Sequence, residues 1–181
     1  DLWENLKSFV NTGDFTLGKP LDEFERKFSK LMKIKHTIGV NSGTDAIKIS
    51  LKAVGIKPGD EVITAANTFV ATVGAIAEIG AIPVFVDCDD TFCMDTNLIE
   101  KAITSKTKAI VPVHFTGYMA NMVKILPIAK KYKLKIIEDA CQSILGSIDN
   151  KLAGTWGEAG AFSLHPLKNL NVWSDGGLIV T

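Results

Sequence analysis

Apolar positions along the chain change their spacing repeatedly, and the changes alternate. Short apolar runs at Thr37–Val40, Glu61–Thr64, Pro83–Asp87, Ala109–Val113 and Leu134–Glu138 have the length and composition of strands. Between them lie stretches with apolar residues three or four apart. Ile47, Leu51 and Val54 make one stripe on a helix that follows the Asn41-Ser42-Gly43-Thr44 turn and stops at Gly55. Val70–Ile79 predicts the next helix. A third is capped by Asp95 or Thr96 and ends near Ile103, and a fourth runs over Asn121–Tyr132 despite Pro127 in its interior. Ahead of this rhythm, Leu2–Val10 predicts a short helix and Asn11–Pro20 a loop. Leu21–Met32 predicts a longer helix with Phe24, Phe28, Leu31 and Met32 on one face. After it, Ala159–Leu164 and Gly177–Thr181 predict two more strands.

Strands alternating with helices imply an α/β fold, a three-layer, mostly parallel sheet with helices on both faces. Right-handed crossovers place the strand C-termini, and with them a ligand site, along one edge. No repeat, low-complexity tract or linker divides the chain, so residues 1–181 read as one domain. The last predicted strand reaches Thr181 with no helix or tail after it, which reads as an incomplete domain.

Composition narrows the function classes. Lysines and arginines number 20, as do aspartates and glutamates, so net charge gives no reason to expect nucleic acid or an anionic membrane as the main partner. Glu61 to Glu78 encloses an uncharged stretch, but it is short for a bilayer span and contains Thr64, Asn67, Thr68, Thr72 and Gly74. A buried strand, loop and helix is the better reading. The opening Asp1-Leu2-Trp3-Glu4-Asn5 lacks the apolar run of a signal peptide. Cys88, Cys93 and Cys141 have no paired spacing, which points to a reducing, cytoplasmic setting rather than a disulfide framework. They match no familiar zinc spacing with His36, His114 and His165.

Five positions carry candidate chemistry, each with an ordinary structural alternative. Asn41-Ser42-Gly43-Thr44 joins a strand end to a helix start. Free N–H groups and the helix dipole there suit a phosphate, with Gly43 allowing close backbone approach and Thr44 adding a hydroxyl; a plain N-cap is the alternative. It has neither the Gly-Lys-Ser/Thr of a phosphate-binding P-loop nor the dinucleotide glycine fingerprint. Asp139 follows a buried-strand pattern at its C-terminal edge, where a carboxylate can meet a cation or merely cap a helix. Ser163 is delivered to the same edge, and His165-Pro166 then turns the chain into a loop bearing Lys168. A partly desolvated amine there is a nucleophile, and a solvated one is only a surface lysine. Phe69 is either a stacking surface for a planar ring or a core residue. His114 either lines the site or is a satisfied core histidine. Cys141 has no basic partner in sequence to make it a nucleophile.

The order of the segments is more telling than any one of them. Phe15-Thr-Leu-Gly-Lys-Pro-Leu-Asp-Glu-Phe-Glu25 and Asn41-Ser-Gly-Thr-Asp-Ala46 open the series. Pro58-Gly-Asp-Glu-Val-Ile63, Asn67-Thr-Phe-Val-Ala-Thr72 and Pro83-Val-Phe-Val-Asp87 continue it. Pro112-Val-His-Phe-Thr-Gly117, Ile137-Glu-Asp-Ala-Cys-Gln142, Phe162-Ser-Leu-His-Pro-Leu-Lys-Asn-Leu170 and Asp175-Gly-Gly177 complete it. Together they resemble the DegT/DnrJ/EryC1/StrS family of sugar aminotransferases, across essentially the whole chain. The resemblance implies the large, cofactor-binding domain of a fold-type I aminotransferase, and pyridoxal 5′-phosphate (PLP) as cofactor. It makes Lys168 the Schiff-base lysine and proton shuttle, and Asp139 the partner of the protonated pyridine nitrogen. Gln142 falls near the ring hydroxyl, Gly43, Thr44 and Ser163 at the phosphate, and Phe69 against the ring.

The substrates implied are glutamate and a nucleotide-linked keto sugar. A homodimer is implied for the full-length protein, with a C-terminal small domain that this chain lacks, so residues 1–181 alone should not turn over. Leu164 stands where an aromatic is common and Ser174 where a glycine often precedes Asp175. A dehydratase branch of the family carries histidine at the lysine position; here that position is Lys168. A PLP-binding regulator or sensor without turnover, or another PLP reaction on a related sugar, is the alternative reading. A Rossmann-like nucleotide module is disfavoured by the missing glycine fingerprint.

Overall fold

The computed structural model describes residues 1–181. In chain order, helices α1 (Leu2–Thr12) and α2 (Lys19–Met32) precede β1 (Thr37–Val40), α3 (Gly43–Ala53), β2 (Glu61–Ala65), α4 (Val70–Glu78) and β3 (Ile82–Val86). Then come α5 (Thr96–Ala102), β4 (Thr107–Val111), α6 (Met122–Tyr132) and β5 (Lys135–Asp139). A two-residue hairpin, β6 (Ser147–Ile148) and β7 (Lys151–Leu152), leads to β8 (Ala159–Ser163) and β9 (Gly177–Val180). Seven strands form one sheet in the order β1-β9-β8-β5-β4-β2-β3. Every neighbouring pair from β8 to β3 is parallel, whereas β9 runs antiparallel to both β1 and β8. The expected mostly parallel, three-layer architecture is therefore present, with one reversed strand inserted near an edge.

Helices cover both faces because consecutive strand residues point to opposite sides. Ile63, Ile110, Ile136, Phe162, Leu178 and Val180 face α2, α5 and α6, and pack with Phe28, Met32, Ile99, Met122 and Ile125. Their neighbours Val62, Ala109, Val111, Ile137, Ala161 and Ile179 face α3 and α4, and pack with Ala46, Ile47, Leu51, Ala75 and Ile76. Strands buried on both faces read as continuous apolar runs rather than alternating ones. The uncharged stretch after Glu61 is β2 and α4, and no helix is long and apolar enough to cross a membrane.

Three local expectations shift. The second helix starts at Lys19, because Pro20 sits in its first turn, where no N–H is needed. Leu31 lies outside that helix's buried face and is 49% exposed, while Phe28 and Met32 are buried. Asp139 is the last residue of β5 rather than the residue after it. Pro127 is accommodated within α6, and α1 buries no residue, meeting the rest of the chain through an edge-on Trp3–Trp173 pair.

Glu138, one position before Asp139, is fully buried on the α2/α6 side of the sheet. Its carboxylate accepts hydrogen bonds from Trp156 N at 2.6 Å, Gly154 N at 2.8 Å and Gly157 N at 2.9 Å. His114 Nε2 is 3.0 Å away, and since His114 Nδ1 accepts from Ala120 N at 3.1 Å, the ring proton is on Nε2 and is donated to Glu138. One carboxylate thus fixes the loop that enters β8 and the histidine that ends β4. Replacing Glu138 by Leu strands four donors without an acceptor, and should destabilise the full-length protein by about 3 kcal/mol or more. Urea unfolding is the measurement. Glu138→Gln, which keeps one acceptor oxygen, should lose less; equal midpoints for wild type and Glu138→Leu would contradict this account.

Candidate active site

The C-terminal ends of the strands surround a cavity of about 390 Å³. Its innermost wall is the end of β5. Asp139 is 5% exposed, and its carboxylate accepts from Cys141 N at 3.2 Å and from Thr72 Oγ1 at 2.6 Å. Thr72 lies in the first turns of α4, is fully buried, and stands 2.7 Å from Thr68 Oγ1. The carboxylate is therefore held in place from a helix as well as from its own strand.

The second wall is the start of α3. Ser42 is its N-cap and accepts from Asp45 N at 3.0 Å, while helix geometry leaves the N–H groups of Gly43 and Thr44 without an intrahelical acceptor. All three residues line the cavity. The capping role and the anion cradle are thus compatible. The packing of the fold adds its own requirement for glycine at position 43. A Cβ there would stand 2.7 Å from Cys141 Sγ and 2.8 Å from Ser163 Cβ. A Cβ on Gly177, at the start of β9, would stand 2.2 Å from Ser42 O. These two glycines let the helix start sit directly on β8 and β9.

The third wall is the loop after β8. Leu164 N donates to Gly176 O at 2.7 Å and Val172 N to Leu164 O at 2.9 Å, so the loop closes back on the strand end. Within it Lys168 N donates to His165 O at 2.8 Å, and Leu167 N to His165 Nδ1 at 3.2 Å. Lys168 is half-buried and lines the cavity; the ion pairs of this chain involve other lysines and His114, never Lys168. Phe69 is 65% exposed at the N-cap of α4 and lines the cavity, which excludes the core reading. Gln142 Oε1 accepts from Thr116 N at 3.0 Å, which orients its amide at the rim.

Every residue singled out in the sequence for this site (Gly43, Thr44, Phe69, Asp139, Gln142, Ser163 and Lys168) borders the one cavity. His114 satisfies both of its alternatives: it is fully buried with both ring nitrogens bonded, and it also lines the wall. Sequence reasoning missed Thr68, Thr72, His165 and Asp175 as site residues. Thr68 and Thr72 carried a readable signal, two hydroxyls four residues apart across a helix start in an otherwise apolar stretch. An anion at α3, a cation opposite Asp139, a flat ring against Phe69 and a carbonyl at Lys168 each find a matching wall.

The sequence pattern of the DegT/DnrJ/EryC1/StrS aminotransferase family matches residues 1–181. The chain is 47% identical over 177 residues to a pleiotropic regulatory protein of Geobacillus stearothermophilus, covering 97% of this chain and 48% of that one. It is 42% identical over 182 residues to a dTDP-3-amino-3,4,6-trideoxy-alpha-D-glucose transaminase of Micromonospora megalomicea subsp. nigra, covering 100% of this chain and 49% of that one. Its fold superposes with a TM-score of 0.94 on NtdA from Bacillus subtilis, a crystal structure with bound cofactor PMP. That match is 44% identical and covers 99% of this chain and 40% of that one. The chain spans about half the length of the curated relatives it matches.

Burial, and then the charge and hydrogen bond of Asp139, push the Cys141 thiol well above its ordinary value, with Lys168 pulling weakly the other way. A raised thiol pKa keeps the protonated form at neutral pH, and the thiolate is the reactive species. Cys141 should therefore alkylate with iodoacetamide at pH 8 more slowly than free glutathione, as read by mass spectrometry of its peptide. Labelling at the glutathione rate would contradict the assignment.

Proposed function

Because the chain belongs to the DegT/DnrJ/EryC1/StrS aminotransferase family, we propose that it is the PLP-binding large domain of an enzyme that moves an amino group from glutamate to a nucleotide-linked keto sugar. The observation that carries this reading is the convergence on one cavity of an amine outside every ion pair, Lys168, and a buried, ionisable acid, Asp139. The walls fit the cofactor. The start of α3, with Thr44 and Ser163, offers donors for its phosphate, and Phe69 a face for its ring. Bound PLP supplies an electron sink at its protonated ring. Asp139 keeps the ring proton in place, Gln142 meets the ring hydroxyl, and Lys168 both anchors the cofactor and moves a proton to and from the substrate carbon.

A further domain belongs to this proposal as well, since residues 1–181 correspond to about half of each of these curated relatives, and the homodimer that the resemblance implies is part of it. A second reading, a PLP-binding regulator without turnover, draws on the name of the Geobacillus stearothermophilus relative. The retained Lys168–Asp139 pair favours turnover. Supplying the full-length protein with glutamate and a panel of nucleotide-linked keto sugars separates the two, since only the enzyme releases an aminated sugar and 2-oxoglutarate.

Two outcomes follow for the site residues. Borohydride treatment of the full-length protein with PLP should fix a pyridoxyl group on Lys168, located by peptide mapping; a label on another lysine would reject the assignment. Asp139→Ala should still bind PLP through Lys168 and the phosphate site, yet turn over about 100-fold or more slowly, as expected for loss of one strong electrostatic contact in the transition state. Near-normal steady-state turnover would remove Asp139 from its role.

A further inference from the structure

Thr72 poses a question of its own. It is fully buried in a helix whose other inward residues include Ala75 and Ile76, and a valine would fill the same shape. A buried hydroxyl is costly unless it is bonded. Here it is bonded twice, at 2.6 Å to Asp139 Oδ2 and at 2.7 Å to Thr68 Oγ1. Proton direction along this chain is fixed by its end. An ionised carboxylate has no proton to give, so Thr72 donates to Asp139. Thr72 has then spent its only proton, so Thr68 donates to Thr72. Thr68 lies on the cavity wall, half-buried.

We propose that Thr72, backed by Thr68, is a positioning residue that holds the Asp139 carboxylate oriented toward the protonated ring nitrogen of the cofactor. The inference rests on the reading of Asp139 given above. Donation from Thr68 polarises Thr72 into a stronger donor. The peptide N–H of Cys141 binds Oδ1 from the carboxylate's own strand end. Thr72 reaches Oδ2 from α4, so the two donors together fix the plane of the group. The other ionisable groups around Asp139 are Cys141 beside it, His114 from the end of β4, and His165, Lys168 and Asp175 from the loop after β8. All of them remain in the variants below.

The test reads the ring nitrogen directly. Full-length protein is loaded with PLP labelled with ¹⁵N in the ring, and the nitrogen resonance is followed from pH 6 to pH 10. Removing one hydrogen bond to a charged group is worth about one pH unit in such an equilibrium. Thr72→Val frees the carboxylate to turn away from the ring, and that loss of contact should lower the pH at which the ring proton is lost by about that amount, with Thr68→Val shifting it less in the same direction. Thr72→Ser keeps the hydroxyl but loses the methyl group, so it should titrate like the wild type. A packing role reverses this order, with Val tolerated and Ser disturbed, and that result overturns the proposal. So does an unshifted titration in Thr72→Val when Asp139→Ala is shifted. An unshifted titration in Asp139→Ala as well refutes the reading of Asp139 itself. If Thr72→Val does not fold, Thr68→Val decides, an unchanged titration counting against the proposal.

Discussion

Two adjacent carboxylates at the end of β5 leave the sheet in opposite directions, and most of the site depends on that divergence. Alternation along a strand forces it: Glu138 takes the side of Ile136 and Asp139 the side of Ile137. Glu138 turns into the core and ties down Gly154, Trp156 and Gly157, the approach to β8. Asp139 turns toward α4 and the cavity. The same peptide step therefore fixes the strand that carries Ser163 and the acid that lines the cavity. A one-residue slip of β5 would exchange the two, placing the cavity's acid in the core.

The reversed strand β9 does related work on the other side. Had β9 been parallel, its start would lie at the far edge of the sheet. Because it is antiparallel, Gly177 pairs with Ser163 and with Val40, and it lies against the backbone of Ser42. The start of α3, the end of β8 and the loop bearing Lys168 are gathered at one point by this single reversal. Gly43 and Gly177 are the two positions where any side chain would push these elements apart.

Much of this was legible in the sequence because it depends on local periodicity. Apolar runs bounded by turn residues located the strands, and position at a strand's C-terminal end was enough to single out Asp139 and Ser163. The features that escaped notice depend on pairing over distance. Thr72 and Asp139 are 67 residues apart, so no window along the chain shows their hydrogen bond. Glu138 read as the polar end of a strand, since nothing local reveals that three N–H groups converge on it. The direction of β9 follows from a return loop whose hydrogen bonds, Leu164 to Gly176 and Val172 to Leu164, form only in the folded chain. The packing constraint on Gly43 was hidden likewise: its crowding comes from Cys141 and Ser163, both more than ninety residues later in the sequence.

The cavity brings together an acid and an amine that do not form an ion pair. Elsewhere the chain pairs its lysines readily: Lys27 with Glu23, Lys48 with Asp45 and Glu78, Lys131 with Glu100, and Lys135 with Glu158. Lys168 and Asp139 border the same cavity, yet no ion pair joins them. Mutual attraction in a partly desolvated site favours collapse of such a pair, so something must hold each end. Asp139 is held by the end of β5, by Cys141 N and by Thr72. Lys168 is held by its backbone bond to His165 and by the closure of its loop on Gly176. An amine locked to a carboxylate would have its lone pair committed to a proton, and a carboxylate locked to an amine would have nothing left for a ring nitrogen. Keeping the two apart leaves the space between them open, and the hydrogen bonds of β5, α4 and the loop after β8 maintain that separation.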